Sequence, residues 1–261
     1  LSIIGPAGEE QLIAAGIFNL DKDGVPSRAN ARGGVGAVLG SKGIKAIVFD
    51  ASGGQKPPIL DMEAYRQTQK IYNKFVLEHP QTHTYRDYGT AAMARMADGF
   101  GALPTRNFSS GTFEHVEDIS GENLRELTLA RGGEGNPTHA CMPGCIIRCS
   151  NIFAGEDGKT IVAPLEYETI GLMGSNLGIK ELDWIGRLNW HANDLGLCSI
   201  ELGATLGVAA EAGLMAWGDG KRAVELCEEI RKNPPLGRLL GSGAGLTGRV
   251  LGIERVPVVK N

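Results

Sequence analysis

Three cysteines spaced four residues apart constrain this chain more than any other feature of its sequence. They are Cys141, Cys145 and Cys149. In a straight helix the outer two α-carbons would stand roughly 12 Å apart, too far for both thiols to bind one metal cluster. Pro143 and Gly144 disfavour such a helix, because proline lacks a backbone donor and glycine permits positive φ. The segment 139–151 is therefore predicted to curl and to turn its three sulfurs toward one centre.

Thiols at this density are typical of a soft-metal site in a reducing compartment, where disulfides are rare. We interpret the run first as ligands of an iron-sulfur cubane, second as a structural zinc site, and third as inert buried cysteines. A site of four thiolates needs one more ligand, and the chain holds only Cys198 and Cys227 besides. Cys227 lies in a segment of helical period and is predicted to be a core residue. The fourth ligand therefore stays open.

Composition and charge exclude several classes of protein. The 261 residues are 42% hydrophobic and 21% charged with a formal net charge of −4, which is typical of one large globular domain or two smaller ones. Lysine and arginine form no basic stripe, so no nucleic-acid partner is expected. Apolar runs are short and interrupted by glycine, and no signal peptide pattern opens the chain. No membrane span is therefore expected, and the predicted location is cytoplasmic.

Short apolar runs among longer helical patterns predict a mixed fold, mainly α with a small β portion. Residues 1–4 and 44–49 are predicted to be strands, the second one buried, and 152–162 a hairpin. Helices are predicted over residues 61–78, 88–100, 120–131, 165–178, 183–193, 199–216, 224–231 and 236–251. Both ends of the chain read as cut, and residues 256–261 are expected to approach a further element.

A glycine-rich stretch over residues 31–42 precedes the second predicted strand. Backbone N–H groups at a glycine-rich helix start can approach a phosphate, and Arg32 beside them can add a bidentate contact. The alternative is a tightly packed helix whose glycines only permit close contact. The stretch is not a Walker A loop or a dinucleotide fingerprint, because its glycine order differs and the strand follows it.

Three carboxylates, Glu166, Glu168 and Asp194, stand at the predicted ends of helices, where a side chain can either cap a helix or face a ligand. Glu166 and Glu168 stand at positions i and i+2 of a predicted helix start, which do not share a face, so they are expected to have different roles. One complements the helix N-terminus, and the other serves as an acid or base in a pocket. Asp194 precedes a turn at Gly196 and is interpreted either as an acceptor for a polar heterocycle or as the cap of the next helix.

These segments, in this order, resemble the aldehyde ferredoxin oxidoreductase family of tungsten, occasionally molybdenum, pterin enzymes. The motifs are residues 32–42, 105–108, 141–149, 166–168 and 194–198. Each motif alone is weak, whereas the ordered set is specific and runs over nearly the whole chain. The resemblance implies the central portion of a longer enzyme. Residues 1–55 would end an N-terminal pterin-binding α+β domain, and residues 56–261 would belong to a helical domain.

The resemblance also implies roles for individual residues. The three clustered cysteines would bind a 4Fe-4S cluster, and Glu166 or Glu168 would handle a proton near the metal. Arg32 would approach a pterin phosphate, and residues 194–198 match one of the family's two pterin motifs. The residues implied to bind the tungsten (or molybdenum) bis-molybdopterin are Arg32, Gly33, Gly34, Asp194, Gly196, Leu197 and Cys198.

The implied activity is oxidation of a small-molecule aldehyde, or a related substrate, to a carboxylic acid. Electrons would pass to ferredoxin or another electron-transfer protein, and a homodimer or a multi-subunit complex is compatible with the resemblance. One alternative is a related bis-pterin enzyme with another substrate, such as an aromatic acyl-CoA reductase subunit. Another is a non-catalytic iron-sulfur or zinc module. In one departure from the family pattern, three residues separate Cys141 from Cys145, where the family commonly has two.

Overall fold

The computed structural model describes residues 1–258 of the chain. Helices make up most of its regular structure, and the strands within these residues form two small antiparallel sheets. The predicted fold class, mainly α with a small β portion, is confirmed. None of the helices among the described residues is long and apolar enough to cross a membrane. Residues 259–261, the end of the predicted approach to another element, lie outside the described part.

The first sheet gathers strands from the first 47 residues. Its members are β1 Ser2–Ile3, β2 Ile17–Asn19, β3 Arg28–Ala31 and β4 Ala46–Ile47, in the order β3-β2-β1-β4. Helices α1 Pro6–Glu9 and α2 Val35–Ser41 pack against each other beside it. The predicted strand over residues 1–4 is confirmed as β1. Because β3 is an outer strand of this sheet, its residues and the loop after it are free to face the helical part.

The predicted burial of residues 44–49 is wrong. Only Ala46 and Ile47 are in a strand, and within the described residues β4 pairs with β1 alone at the sheet's edge. Val48 and Phe49 are 72% and 78% exposed. A continuous apolar run is typical of a strand covered on both faces, but no described element covers this edge.

The second sheet carries the cysteine loop. Its strands are β5 Asn136–His139, β6 Ser150–Ala154 and β7 Thr160–Val162, in the order β5-β6-β7. The predicted hairpin over residues 152–162 is confirmed by the antiparallel pairing of β6 with β7. Cys141, Cys145 and Cys149 lie in the connection from β5 to β6, so pairing of these two strands brings both ends of the loop together.

Helices form the rest of the molecule. They are α3 Met62–Glu78, α4 Pro80–Tyr88, α5 Met93–Gly99, α6 Gly121–Arg131, α7 Tyr167–Thr169, α8 Leu182–Leu195, α9 Ser199–Glu211, α10 Gly220–Lys232, α11 Pro235–Gly241 and α12 Ala244–Leu251. Helix α4 was not predicted, although Pro80 at its first turn is a favoured residue there. Buried side chains of α8 and α9, among them Ile185, Leu188 and Leu206, lie in the main core.

Two predicted helices are interrupted. Residues 165–178 form α7, then a π turn Ile170–Gly174 and a 3-10 turn Ser175–Leu177. The Ser175 hydroxyl donates to the carbonyl oxygen of Pro104 at 2.7 Å, with the carbonyl oxygen of Gly171 also 3.1 Å away, so it ties this irregular turn to a neighbouring loop. Residues 236–251 are divided between α11 and α12, because Gly243 adopts a φ of 92° that a helix does not allow.

Candidate functional site

A cavity of about 210 Å³ lies between the first sheet and the starts of α7 and α9, against one face of α8. The first sheet contributes Phe18, Arg28 and Ala29, and the residues on either side of β3 contribute Ser27 and Arg32. The helical part contributes Pro164, Glu166, Glu168, Thr169, Asn189, Asn193 and Ser199. The cavity thus brings together three residues predicted from the sequence, Arg32, Glu166 and Glu168. A larger cavity of about 740 Å³ along another face of α8 contains none of the predicted site residues.

The two glutamates differ in their surroundings. Glu166 immediately precedes α7, and within the described residues its side chain makes no capping bond to that helix. Its Oε1 accepts a hydrogen bond from Arg28 Nη1 at 3.2 Å, and its side chain is 33% exposed. Burial raises the pKa of the Glu166 carboxyl above its ordinary value, Arg28 opposes this shift, and the charge of Glu168 adds to it. Glu168 is exposed in the first turn of α7, where a carboxylate complements the helix N-terminus.

Arg28 was missed by the sequence analysis. Its Nη2 donates to Ser150 Oγ at 2.7 Å, in addition to the bond from Nη1 to Glu166. The even spacing of Arg28 and Arg32 was no reliable signal, because Arg32 lies beyond the end of β3 at Ala31 and a register shift interrupts the pairing of β2 with β3. Their convergence with Glu166 depends on a contact between residues 138 positions apart, which no local pattern indicates.

Arg32 stands between the glycine-rich stretch and Cys198. Its Nη1 donates to Cys198 Sγ at 3.1 Å. Gly33 has a φ of 73°, and a side chain at this position would meet no described atom within 4 Å, so its backbone can be approached closely. A Cβ on Gly36, by contrast, would stand 2.4 Å from the carbonyl oxygen of Gly16. The interpretation as a tightly packed helix holds at Gly36, whereas the phosphate contact of Arg32 and the glycine N–H groups stays a prediction.

The cysteine loop is not helical, as predicted. Gly144 and Arg148 adopt φ values of 79° and 57°, and Cys141, Cys145 and Cys149 are half-buried with free thiols. Burial raises the pKa of the Cys149 thiol, and the charges of Glu166, Cys145 and Cys141 add to the effect. Within residues 1–258, no three His, Cys, Asp or Glu side chains are close enough to hold one metal ion, so the predicted turn of all three sulfurs toward one centre is not found. The donor set of three free thiols fits an iron-sulfur cluster, and the assignment of these cysteines as ligands stays a prediction.

Asp194 lies outside the cavity. Its Oδ2 pairs with Arg231 Nη2 of α10, and the side chain is exposed. The interpretation of Asp194 as the cap of α9 is wrong, because the residue at that cap is Cys198. The backbone N–H groups of Leu197 and Cys198 already donate within the chain, to Ala192 and Ala14. The cofactor-binding role implied for Asp194, Gly196, Leu197 and Cys198 stays a prediction.

Two family models match the chain. Residues 67–259 match "Aldehyde ferredoxin oxidoreductase, domains 2 & 3", and residues 1–51 match "Aldehyde ferredoxin oxidoreductase, N-terminal domain". The chain belongs to the aldehyde ferredoxin oxidoreductase family. The resemblance inferred from the ordered motifs is thereby confirmed, whereas the boundary predicted between residues 55 and 56 stays a prediction.

Several curated relatives are described as tungsten-containing enzymes. The chain is 36% identical over 217 residues to the tungsten-containing aldehyde ferredoxin oxidoreductase of Thermococcus kodakarensis, which covers 81% of this chain and 33% of that protein. The enzyme of the same description from Pyrococcus furiosus is 31% identical over 261 residues, covering 94% and 40%. The WOR-like subunit of an aliphatic sulfonate oxidoreductase from Pyrococcus furiosus is 29% identical, covering 92% and 38%. The chain therefore spans 33 to 40% of the length of these relatives.

A solved structure shares the fold. The active-site complex BamBC of benzoyl coenzyme A reductase, bound to 1,5-dienoyl-CoA, superposes with a TM-score of 0.66 over 97% of this chain and 40% of that one. Sequence identity is 19%, so the likeness supports the architecture of this family member.

Proposed function

We propose that this chain is the central part of a tungsten- or molybdenum-pterin iron-sulfur enzyme that oxidises an aldehyde to a carboxylic acid. The observation that carries the proposal is the cavity in which the Glu166 carboxyl lies with Arg28 and Arg32 and accepts a hydrogen bond from Arg28. Burial raises the pKa of this carboxyl, and its charge adds to the raised pKa of the thiol of Cys149, the last cysteine of the loop. A carboxyl that can accept a proton and two guanidinium groups that can bind anions thus line one cavity, and the three proposed cluster ligands lie in the loop that ends before Ser150, to which Arg28 donates.

Each part of the site has a role in the overall reaction. Conversion of R–CHO and water to R–COOH releases two electrons and two protons, and Glu166 accepts one of the protons. Arg32 binds a pterin phosphate through its guanidinium. The thiolates of Cys141, Cys145 and Cys149 hold the 4Fe-4S cluster. The bound metal-pterin and cluster supply the redox chemistry, while this chain orients substrate and moves protons.

The electron acceptor is proposed to be ferredoxin or another electron-transfer protein in the cytoplasm. Support comes from the names of the tungsten-containing relatives. A homodimer or a multi-subunit assembly is part of the same proposal, since one relative is described as a subunit and the solved neighbour as a complex.

A second proposal keeps the cofactor and changes the substrate. The 29% identity to a subunit of an aliphatic sulfonate oxidoreductase favours it, because that protein is similar over 92% of this chain. A third reading, a non-catalytic iron-sulfur or zinc module, predicts metal without pterin.

The test uses full-length protein purified without oxygen. Tungsten or molybdenum, pterin and iron are measured, and acetaldehyde and benzaldehyde are oxidised with a viologen as acceptor. Aldehyde turnover by protein that contains pterin supports the first proposal. Pterin without aldehyde turnover, combined with activity on sulfonates or acyl-CoA compounds, supports the second. Iron or zinc without pterin contradicts both.

The role of Glu166 is tested separately with Glu166→Gln and Glu168→Gln. Because burial raises the pKa of Glu166, the acidic limb of kcat/KM against pH is expected above the ordinary glutamate value, and activity is lost as pH falls through it. Glu166→Gln is expected to lower kcat by about 100-fold or more and to abolish the limb. Glu168→Gln should retain the acidic limb. If Glu168→Gln abolishes the limb and Glu166→Gln retains it, Glu168 is the proton acceptor instead.

A further inference from the structure

The guanidinium of Arg28 joins three separate parts of the chain. Arg28 itself begins β3, Glu166 precedes α7, and Ser150 begins β6 directly after Cys149. Nη1 donates to Glu166 Oε1 at 3.2 Å and Nη2 donates to Ser150 Oγ at 2.7 Å. One planar group therefore contacts the carboxyl at the cavity and the first residue beyond the cysteine loop.

Both ends of this contact are well fixed. The Ser150 side chain lies in a residue that is only 1% exposed, and Ser150 pairs with His139 across β5 and β6. The Arg28 side chain is 21% exposed, and its Nε is buried without a hydrogen-bond partner among residues 1–258. Among residues 1–258 the side chain of Arg28 is hydrogen-bonded through its two terminal nitrogens, to Glu166 and Ser150.

Other charges near Glu166 do not duplicate this contact. Glu168 on α7 raises the pKa of Glu166, and Arg32 lowers it less than Arg28 does. The wall formed by α8 contributes the neutral side chains of Asn189 and Asn193. From the cysteine loop, Cys149 is near enough for the charge of Glu166 to add to the raised pKa of its thiol. Arg28 is thus the cation with the largest effect on Glu166.

We propose that Arg28 is the positioning residue of the proton-handling carboxylate, its guanidinium clamping Glu166 to Ser150 at the end of the cysteine loop. This inference rests on the proposed role of Glu166. A guanidinium presents parallel donors in a rigid plane and can serve both acceptors at once, whereas a lysine ammonium acts as a single point charge. Lysine at position 28 therefore keeps the charge and loses the clamp.

Four variants of the full-length enzyme separate charge, geometry and cofactor binding. Arg28→Met removes both donors and the charge, Arg28→Lys keeps the charge, Ser150→Ala removes one anchor, and Glu166→Gln removes the clamped group. Arg95→Met is the matched control, because Arg95 forms exposed ion pairs with Glu117 and Glu122 outside the cavity. Metal and pterin content is measured for each variant before its kinetics.

With normal cofactor content, Arg28→Met is expected to lower kcat by about 100-fold, the scale on which misplacing a reacting group acts. It should also move the acidic limb of the pH profile to higher pH, because the cation that opposes the raised pKa of Glu166 is gone. Arg28→Lys should keep the limb near its original pH and still lose part of kcat. Ser150→Ala should lower kcat with little change in KM, and Arg95→Met should match the parent enzyme.

A readout independent of turnover is infrared difference titration of the protonated carboxyl, assigned by its loss in Glu166→Gln. Arg28→Met should shift that titration to higher pH. If the titration shifts while Glu166→Gln keeps full activity, the clamp stands and the proposed function of Glu166 fails. If the Arg28→Met enzyme loses its pterin, the clamp is tested with Ser150→Ala and Arg28→Lys instead. The clamp would be overturned if these two variants, with normal cofactor content, kept both the parent kcat and the parent titration of the Glu166 carboxyl. The same result in Arg28→Met with normal cofactor content would also overturn it.

Discussion

The environment of each sulfur separates Cys227 from the cysteines of the loop. Cys227 is fully buried in α10, and desolvation raises the pKa of its thiol to about 12. A thiol that stays protonated does not bind iron. Cys141, Cys145 and Cys149 are half-buried and carry no covalent bond to one another.

Serine substitutions in the full-length protein should reproduce this division. Cys141→Ser, Cys145→Ser or Cys149→Ser is expected to remove the absorption and the electron paramagnetic resonance of the cluster, because a hydroxyl is a poor ligand for iron. Cys227→Ser should keep both signals and lower the free energy of unfolding by about 1–3 kcal/mol, since it buries an unpaired hydroxyl. Loss of the cluster in Cys227→Ser would contradict this assignment.

Asp194 has two explanations that a pair of variants can separate. Its ion pair with Arg231 is exposed, so breaking it should change stability by only about 0–1 kcal/mol. If Asp194 also binds pterin, Asp194→Ala lowers the tungsten and pterin content of the full-length enzyme, while Arg231→Gln leaves it normal. Equal losses of tungsten and pterin in both variants would mean that cofactor content depends on the ion pair and not on a contact between Asp194 and the pterin.

At the scale of elements, close packing of α9 positions one side of the cavity. Gly203 lies where a Cβ would stand 2.6 Å from the carbonyl oxygen of Leu172, in the π turn. Helix α9 begins at Ser199, which lines the cavity, directly after Cys198. The distance between α9 and the π turn therefore affects the position of Ser199 at the cavity as well as the packing of the core.

Two glycine-to-alanine changes in helices test this packing. Gly203→Ala is expected to lower the free energy of unfolding by about 1–3 kcal/mol, because overpacking displaces backbone. Gly99→Ala, at the exposed end of α5 with no described atom within 4 Å of the added Cβ, should raise it by about 0.4–1 kcal/mol. Urea unfolding of both variants provides the measurement. If Gly203→Ala stabilises the protein instead, the π turn can shift to accommodate the added methyl group, which contradicts the prediction.

For the molecule as a whole, the buried His191 of α8, which pairs with Glu228 of α10, is expected to make stability depend on pH. Its side chain is 7% exposed, and burial lowers the pKa of His191 while Glu228 opposes the shift. The unfolded chain therefore takes up this proton at higher pH than the folded chain. Stability is fully present above the ordinary histidine pKa, about 6.5, and is lost as pH falls through the lowered folded value.

His191→Gln should flatten this dependence. The loss of unfolding free energy between about pH 7 and about pH 5.5 is expected to be smaller than in the parent protein, as measured by urea titration at both pH values. His83→Gln, a change at an exposed histidine of α4, serves as the control and should leave the parent slope. An equal slope in His191→Gln would assign the pH dependence to other groups.

Local features of the sequence predicted the parts of the fold that depend on neighbouring residues. Asp157 and Gly158 specify the turn of the β6–β7 hairpin, and Pro143 with Gly144 prevents a helix through the cysteines. The order of the motifs was enough to identify the family. These inferences succeeded because turn chemistry and hydrophobic period act over a few residues.

Tertiary structure alone decided which side chains meet. It brought Arg28 to Glu166 across 138 residues, paired Asp194 with Arg231 instead of the α9 cap, and left residues 44–49 exposed at a sheet edge. The raised pKa of Glu166 likewise depends on burial among distant elements. Desolvation and charge act through space, so their strength at a residue is set by the packing of the whole chain.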